Sequence, residues 1–276
     1  MAEITATLVR ELRDETGLPM MDCKKALTES NGDKDAAKKT LRERGIKLSE
    51  SRSSRETAFG RFGIHTGVDK QAGAMVEVKC ESAPVANSEE FIQFANGLAQ
   101  ALASSNAATA DDLLSQPCPS KSGKTLREVK EDMFNRIREV FNIGRMKRLE
   151  GATGGYSHNS GTVSGVLVAV EGGNDAAAKD VSMHVAAMHP LAIVKEEIDP
   201  ALVASEREIL RAAALAEGKP ANIVDKMVEG RLKNFYAEKV LSEQPFVKEN
   251  TQTVAAYAGG HNMKIKQFVH WVLGKE

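Results

Sequence analysis

The sequence predicts an α+β protein: an N-terminal bundle of three short helices, two related α+β core halves with antiparallel sheets, and an antiparallel helical hairpin inserted into the second half. Three observations lead there. Apolar residues recur at helical spacing as far as Gly45, and the period then changes to two at Phe62 and Ile64. A strand, short turn and helix over residues 74–102 recur in outline over 162–188, which reads as a repeated α+β unit. Asp199-Pro200 and then Gly218 with Pro220 bracket two long amphipathic runs.

In the first helix Leu8, Val9 and Leu12 share a face and Thr5 can cap the free N–H groups. Gly17 can end it in the left-handed conformation, and Pro19 opens a second helix through Leu27 at its first position. Met20 and Met21 start that helix. Neighbouring helical residues point about 100° apart, so both cannot face one small core. An outward Met beside Lys24 is an adaptable protein contact, and two Met residues filling an irregular core is the other reading. Asp33 caps a third helix carrying Ala36, Ala37, Thr40 and Leu41, with Gly45 as its stop, so residues 1–46 form a docking-type module. Residues 47–57 contain too few apolar side chains to repay ordering and read as a linker or exposed helical extension.

The first core half covers 58–142. Ala74, Val76, Val78 and Cys80 alternate with Met75, Glu77 and Lys79, and Pro84, which cannot donate to a ladder, takes the chain out of the sheet. Ser88 caps a helix with Phe91, Ile92, Ala95 and Leu98 inward, and another helix is expected over 126–141. The second half comprises 143–198 and 237–276, interrupted by the hairpin at 199–236, in which Val203, Ile209, Leu210 and Ala213 face Ile223, Met227 and Phe235. Residues 251–258 read as a short helix and 265–273 as a buried strand.

Chemistry is hard to find. Gly161-Thr162-Val163-Ser164-Gly165 is no nucleophile elbow, Gly172-Gly173 lacks the rest of a phosphate or dinucleotide loop, and His184 and His189 are spaced for opposite helix faces. Cys23, Cys80 and Cys118 lie far apart, which argues against structural zinc and for a reducing compartment. No enzyme, cofactor or metal is expected. Lys and Arg total 37 against 38 Asp and Glu, so no global field recommends nucleic acid, and the basic run Arg136, Arg138, Arg145, Lys147, Arg148 is interleaved with Glu131, Asp132, Glu139 and Glu150 as on a solvated mixed-charge face. No stretch reaches the roughly 18 apolar residues of a membrane helix, and the N-terminus lacks an export pattern, so a cytoplasmic protein is expected.

The order of parts, with Gly17-Leu18-Pro19-Met20-Met21-Asp22-Cys23-Lys24-Lys25-Ala26-Leu27, Met1 to Thr5, Leu149-Glu150-Gly151, Met183-His184, Met227 to Arg231, Gln244 to Val247 and His261-Asn262, resembles bacterial translation elongation factor Ts over essentially the whole chain. That resemblance implies a ubiquitin-associated-like first module and a guanine-nucleotide exchange factor that binds elongation factor Tu, GDP-bound and nucleotide-free, and speeds GDP release. By analogy Leu12, Met20, Met21 and Lys24 are docking contacts on the partner's G domain and His158 faces its far domain. The family's exchange loop usually reads Thr-Asp-Phe-Val-Ala and disturbs the partner's magnesium site. Here the matching run is Ser82-Ala83-Pro84-Val85-Ala86, without the acid and the aromatic. A further departure is Glu139-Val140-Phe141-Asn142-Ile143, where the family usually has a Gly-Glu-Asn-Ile run. A binding or holding protein with weak or no exchange is therefore the alternative. A homodimer and a 2:2 complex both stay open.

Overall fold

The computed structural model describes residues 4–218 and 220–275, so Met1, Ala2 and Glu3 of the N-terminal motif and Glu276 lie outside the described residues. It is an α+β structure in two compact units: the chain up to Gly63 with Val76–Met146, and Ile64–Met75 with the chain from Lys147 onward.

The first unit begins with α1 (Ala6–Thr16), α2 (Met20–Glu29) and α3 (Lys34–Ser51) around Val9, Leu12, Cys23, Ala26, Leu27, Ala37 and Leu41. Thr5 Oγ1 accepts from the Leu8 N–H and Asp33 from those of Asp35 and Ala36, as the capping residues require. Gly45 is not a stop. α3 continues through it because Gly45 is packed: an added Cβ would lie 1.7 Å from Oδ1 of the buried Asn135. Residues 47–51, expected as linker or helical extension, are helical.

Strands β1 (Phe59–His65), β2 (Ala72–Cys80) and, after four helices, β3 (Asn142–Glu150) form a sheet in the order β1-β2-β3. The intervening helices are α4 (Ala83–Ala86), α5 (Glu89–Ala103) and α6 (Ala110–Leu114), then α7 (Leu126–Ile137), which makes four. The helix expected over 126–141 stops at Arg138, which caps α7 with a left-handed φ of 66°. Beyond it the supposed charged face is strand. The buried Glu77 of β2 accepts from the Arg145 backbone N–H and from its guanidinium at 3.2, 3.1 and 2.9 Å. Burial raises the Glu77 pKa, but the bonds from Arg145 outweigh it and hold the carboxyl below its ordinary range.

The second unit carries β4 (Thr153–His158), β5 (Ser164–Gly172), α8 (Asp175–Met188), α9 (Pro200–Ala216), α10 (Ala221–Lys239), β6 (Pro245–Phe246), β7 (Glu249–Thr253), α11 (Val254–Gly260) and β8 (Met263–Val272). β5 lies between antiparallel β4 and β8, with Tyr156 opposite Val166 and Val166 opposite His270. Val166, Val168, Val181, Val185, Leu241, Phe246 and Met263 make the core. Residues 249–253 are strand, and the helix expected from Thr251 starts only at Val254, with Thr253 capping it. β8, expected buried on both faces, is largely half-buried because only β5 pairs with it.

The hairpin helices α9 and α10 pack through a stripe that keeps the expected Val203 and Leu210 but is centred on other residues. Ala214, Val224, Val228 and Leu232 are buried, whereas Ile209 and Ile223 are exposed. Positions 224, 228 and 232 recur every four residues on one face, and Ile223 sits one residue, about 100°, away from it.

His184 is satisfied, as expected of a helix histidine without metal spacing. Its Nδ1 accepts from the Val247 N–H at 3.1 Å, which leaves Nε2 to donate to Gln244 Oε1 at 2.9 Å. The Gln244 amide nitrogen donates to the carbonyls of Glu238 and Met188, so the wholly buried glutamine uses both ends. Burial lowers the His184 pKa, with the Gln244 bond opposing. His270, beside His189 at a ring separation of 4.7 Å, is lowered to about 4 by burial and then by that neighbour. Among the described residues no helix is long and apolar enough to cross a membrane.

Two outcomes test this packing. A Cβ on Gly63 would stand 1.9 Å from the Ala95 carbonyl oxygen, so Gly63→Ala forces β1 off α5 and lowers unfolding stability by about 1–3 kcal/mol in urea titrations. Depressed folded pKa values for His184 and His270 mean that the unfolded chain takes up protons first as pH drops through about 6.5, so stability falls toward acid. His270→Gln flattens the profile between pH 6.5 and about 4, by less than the limiting ~1.4 kcal/mol per pH unit because His270 is half-exposed.

Candidate functional site

The helix corner is built by backbone geometry. Gly17 adopts φ 69° and its N–H closes on the Arg13 carbonyl at 2.7 Å. Pro19 is the N-cap of α2 rather than its first residue, so Met20 leads the helix. Cys23, Ala26 and Leu27 take the inward face, which turns Met20 and Met21 out, 42% and 60% exposed, beside exposed Lys24. Both thioethers are therefore available. Leu12, expected as a contact, is wholly buried beneath them in the three-helix core, so it has no side-chain surface to offer and serves the corner as support.

The run Ser82-Ala83-Pro84-Val85 is one turn of helix instead of an open loop. Ala83–Ala86 form α4, with Ser82 as N-cap and Pro84 in the first turn, where its missing N–H costs nothing. Bonds from the Ala86 and Asn87 N–H groups to the carbonyls of Ser82 and Ala83, both 3.1 Å, close the turn. Ser88 Oγ adds one to the Val85 carbonyl at 2.8 Å and also caps α5. Pro84 is exposed, and Ser82, Ala83 and Val85 are half-buried. Burial pushes the neighbouring Cys80 thiol up to about 11, which keeps that sulfur protonated and a poor nucleophile.

Three consecutive residues of the first unit hold both features. The Arg138 guanidinium donates to the carboxylate of Asp22, the residue directly after the two exposed methionines, at 2.9 Å, while Arg52 donates to the Arg138 carbonyl at 3.1 Å. Glu139 accepts from the Ser82 N–H at 3.1 Å and the Ser82 hydroxyl at 2.6 Å. The Val140 N–H in turn donates to Glu81 at 2.8 Å, whose other oxygen accepts from Arg55 at 3.2 Å. Sequence reasoning missed Arg138 and Glu139 as site-building residues. The available signal was the departure at 139–143 from the usual run.

Of the other basic residues of that run, Arg136 pairs with Glu90 and Arg148 with Glu150, whereas Arg145 pairs with the buried Glu77 and so departs from the expected solvated face. His158 belongs to the second unit, at the end of β4, half-buried, with Nδ1 3.1 Å from the Tyr156 hydroxyl. Among the described residues no group of three or more His, Cys, Asp or Glu could hold a metal. The arrangement offers apolar and cationic contact surface and a braced projecting turn.

A family model described as elongation factor TS matches residues 81–275. Elongation factor Ts of Methylococcus capsulatus is 40% identical over 275 residues, covering 99% of this chain and 92% of that protein. The namesakes from Thioalkalivibrio sulfidiphilus and Clostridium botulinum Eklund 17B are 39% and 37% identical, each over 99% of this chain and 92% and 93% of their own. Matched through most of its length by the model and through nearly all of it by these relatives, the chain belongs to the elongation factor Ts family.

Proposed function

We propose that this chain is a guanine-nucleotide exchange factor that binds elongation factor Tu, in the GDP-bound and nucleotide-free states, and promotes GDP release during translation elongation in the cytoplasm. It acts by binding and makes or breaks no covalent bond. The observation that carries the reading is the exposed Pro84 on a closed helical turn whose base is tied to Glu139. A turn fixed in this way can press on a partner without itself yielding, which an untethered loop cannot. Met20, Met21 and Lys24 dock the first unit on the partner's G domain, and His158 contacts a farther domain.

Exchange follows from linkage. A factor that binds nucleotide-free partner more tightly than the GDP form weakens GDP by the same ratio. The Ser82–Val85 turn supplies that difference by disturbing the partner's nucleotide and magnesium site. Pro84 is a smaller wedge than the usual aromatic, so docking at both ends contributes more of the distortion. The same replacement of Asp-Phe by Ala83-Pro84 is what favours the second reading, a holding protein for elongation factor Tu with weak or no exchange.

Release of fluorescent GDP from the cognate partner tests both. At saturating factor the chain accelerates release and Pro84→Gly slows it about tenfold, a coupling change of about 1.4 kcal/mol; an unchanged rate removes the turn from the mechanism, and no acceleration by the unaltered chain establishes the holding reading. Met21→Ser weakens partner affinity about tenfold while leaving unfolding stability within about 0.5 kcal/mol, since the side chain is exposed, as calorimetric binding and thermal melts will show.

A further inference from the structure

Where the helical extension of α3 passes α6 and α7, the first unit contains a cavity of about 220 Å³. Ile46, Leu114, Phe134 and Phe141 give it apolar walls, and Arg127 and Lys130 bring cations to it. The charges there are almost all answered. Arg127 is paired with Asp111 at 3.0 Å, and Glu131 with Arg42 at 3.2 Å. Glu50, which also lines the cavity, is exposed, where solvent screens it. Lys130 is the exception: it is half-buried and, among the described residues, makes no hydrogen bond or ion pair. Burial lowers its pKa, Arg127 adds to that, and Asp111 and Glu131 oppose.

We infer that this cavity is a binding site for a small organic carboxylate with an apolar body, whose carboxylate takes Lys130 as its partner and whose body lies against Ile46, Leu114, Phe134 and Phe141. A desolvated ammonium without an acceptor gains more from an arriving anion than one already paired or fully hydrated. A bare inorganic anion is a poorer occupant, because beyond Lys130 the lining offers its remaining oxygens only the Ser49 hydroxyl and the already paired Arg127, and it wastes the apolar walls. The volume is below the roughly 300–1,000 Å³ of drug-sized sites, so the occupant has about ten non-hydrogen atoms or fewer. The site stands apart from Met20, Met21 and the Ser82–Val85 turn in the residues it uses, and it does not depend on the exchange reading.

Sodium hexanoate is the probe, added to the full chain carrying isotopically labelled lysine at constant ionic strength, with 1-hexanol and sodium phosphate as comparisons. Saturable binding is expected with Kd on the order of 1 mM, the range open to so small a ligand. The Lys130 side-chain resonance shifts, and its titration midpoint moves up as the carboxylate stabilises the ammonium. Hexanol and phosphate each bind at least about tenfold more weakly, and Lys130→Met weakens hexanoate about tenfold without lowering the melting temperature. The inference is overturned by no saturation up to about 50 mM, by an unmoved Lys130 resonance, or by equal binding of hexanol, phosphate or the Lys130→Met chain. Should that variant fail to fold, the unaltered chain decides through the resonance and the hexanol comparison.

Discussion

The helix corner and the projecting turn of the first unit both rest on the segment Arg138-Glu139-Val140. One residue ties the methionine corner through Asp22, the next ties the projecting turn through Ser82, and the third completes a reciprocal bond to Glu81. Charge-assisted bonds of this kind are stronger than neutral ones, and leaving either partner unpaired costs more than forming the bond contributes. The corner and the turn are therefore not independent ornaments on a bundle. Arg138 even accepts a left-handed φ of 66° to reach its place, a conformation that costs an L-residue roughly 1–2 kcal/mol.

The second unit uses the same logic in its interior. His184 and Gln244 lie 60 positions apart in the chain, yet every polar atom of the imidazole and the side-chain amide finds a use. Because Val247 donates to one ring nitrogen, the other must carry the proton, and the glutamine is oriented accordingly. The hydrogen-bonded pair fixes where the chain re-enters the core after the α9–α10 hairpin. A long insertion is thereby tolerated at a point where the flanking backbone is independently anchored.

Local signals carried much of the fold. Thr5, Asp33 and Ser88 cap helices because a side-chain oxygen next to free N–H groups has few other options, and that is visible in a string of letters. What was illegible depended on partners remote in sequence. Gly45 looks like a terminator until Asn135 is brought against it, and Arg145 looks solvated until the buried Glu77 is beside it. Leu12 resembled a contact by analogy alone, and its neighbours in space made it core. Met20 and Met21 were ambiguous for the same reason: the residues that decide which way they face are Cys23, Ala26 and Leu27, and those decide only once a bundle exists.

Cys80 gives the projecting turn a further property. With its thiol pushed to about 11, only on the order of one molecule in ten thousand carries the thiolate at neutral pH, and the thiolate is the form that attacks disulfides and peroxides. The sulfur that donates to the Ser82 carbonyl is thus chemically silent where it stands. The shape of the turn therefore rests on hydrogen bonds and packing, with no ionised sulfur in it.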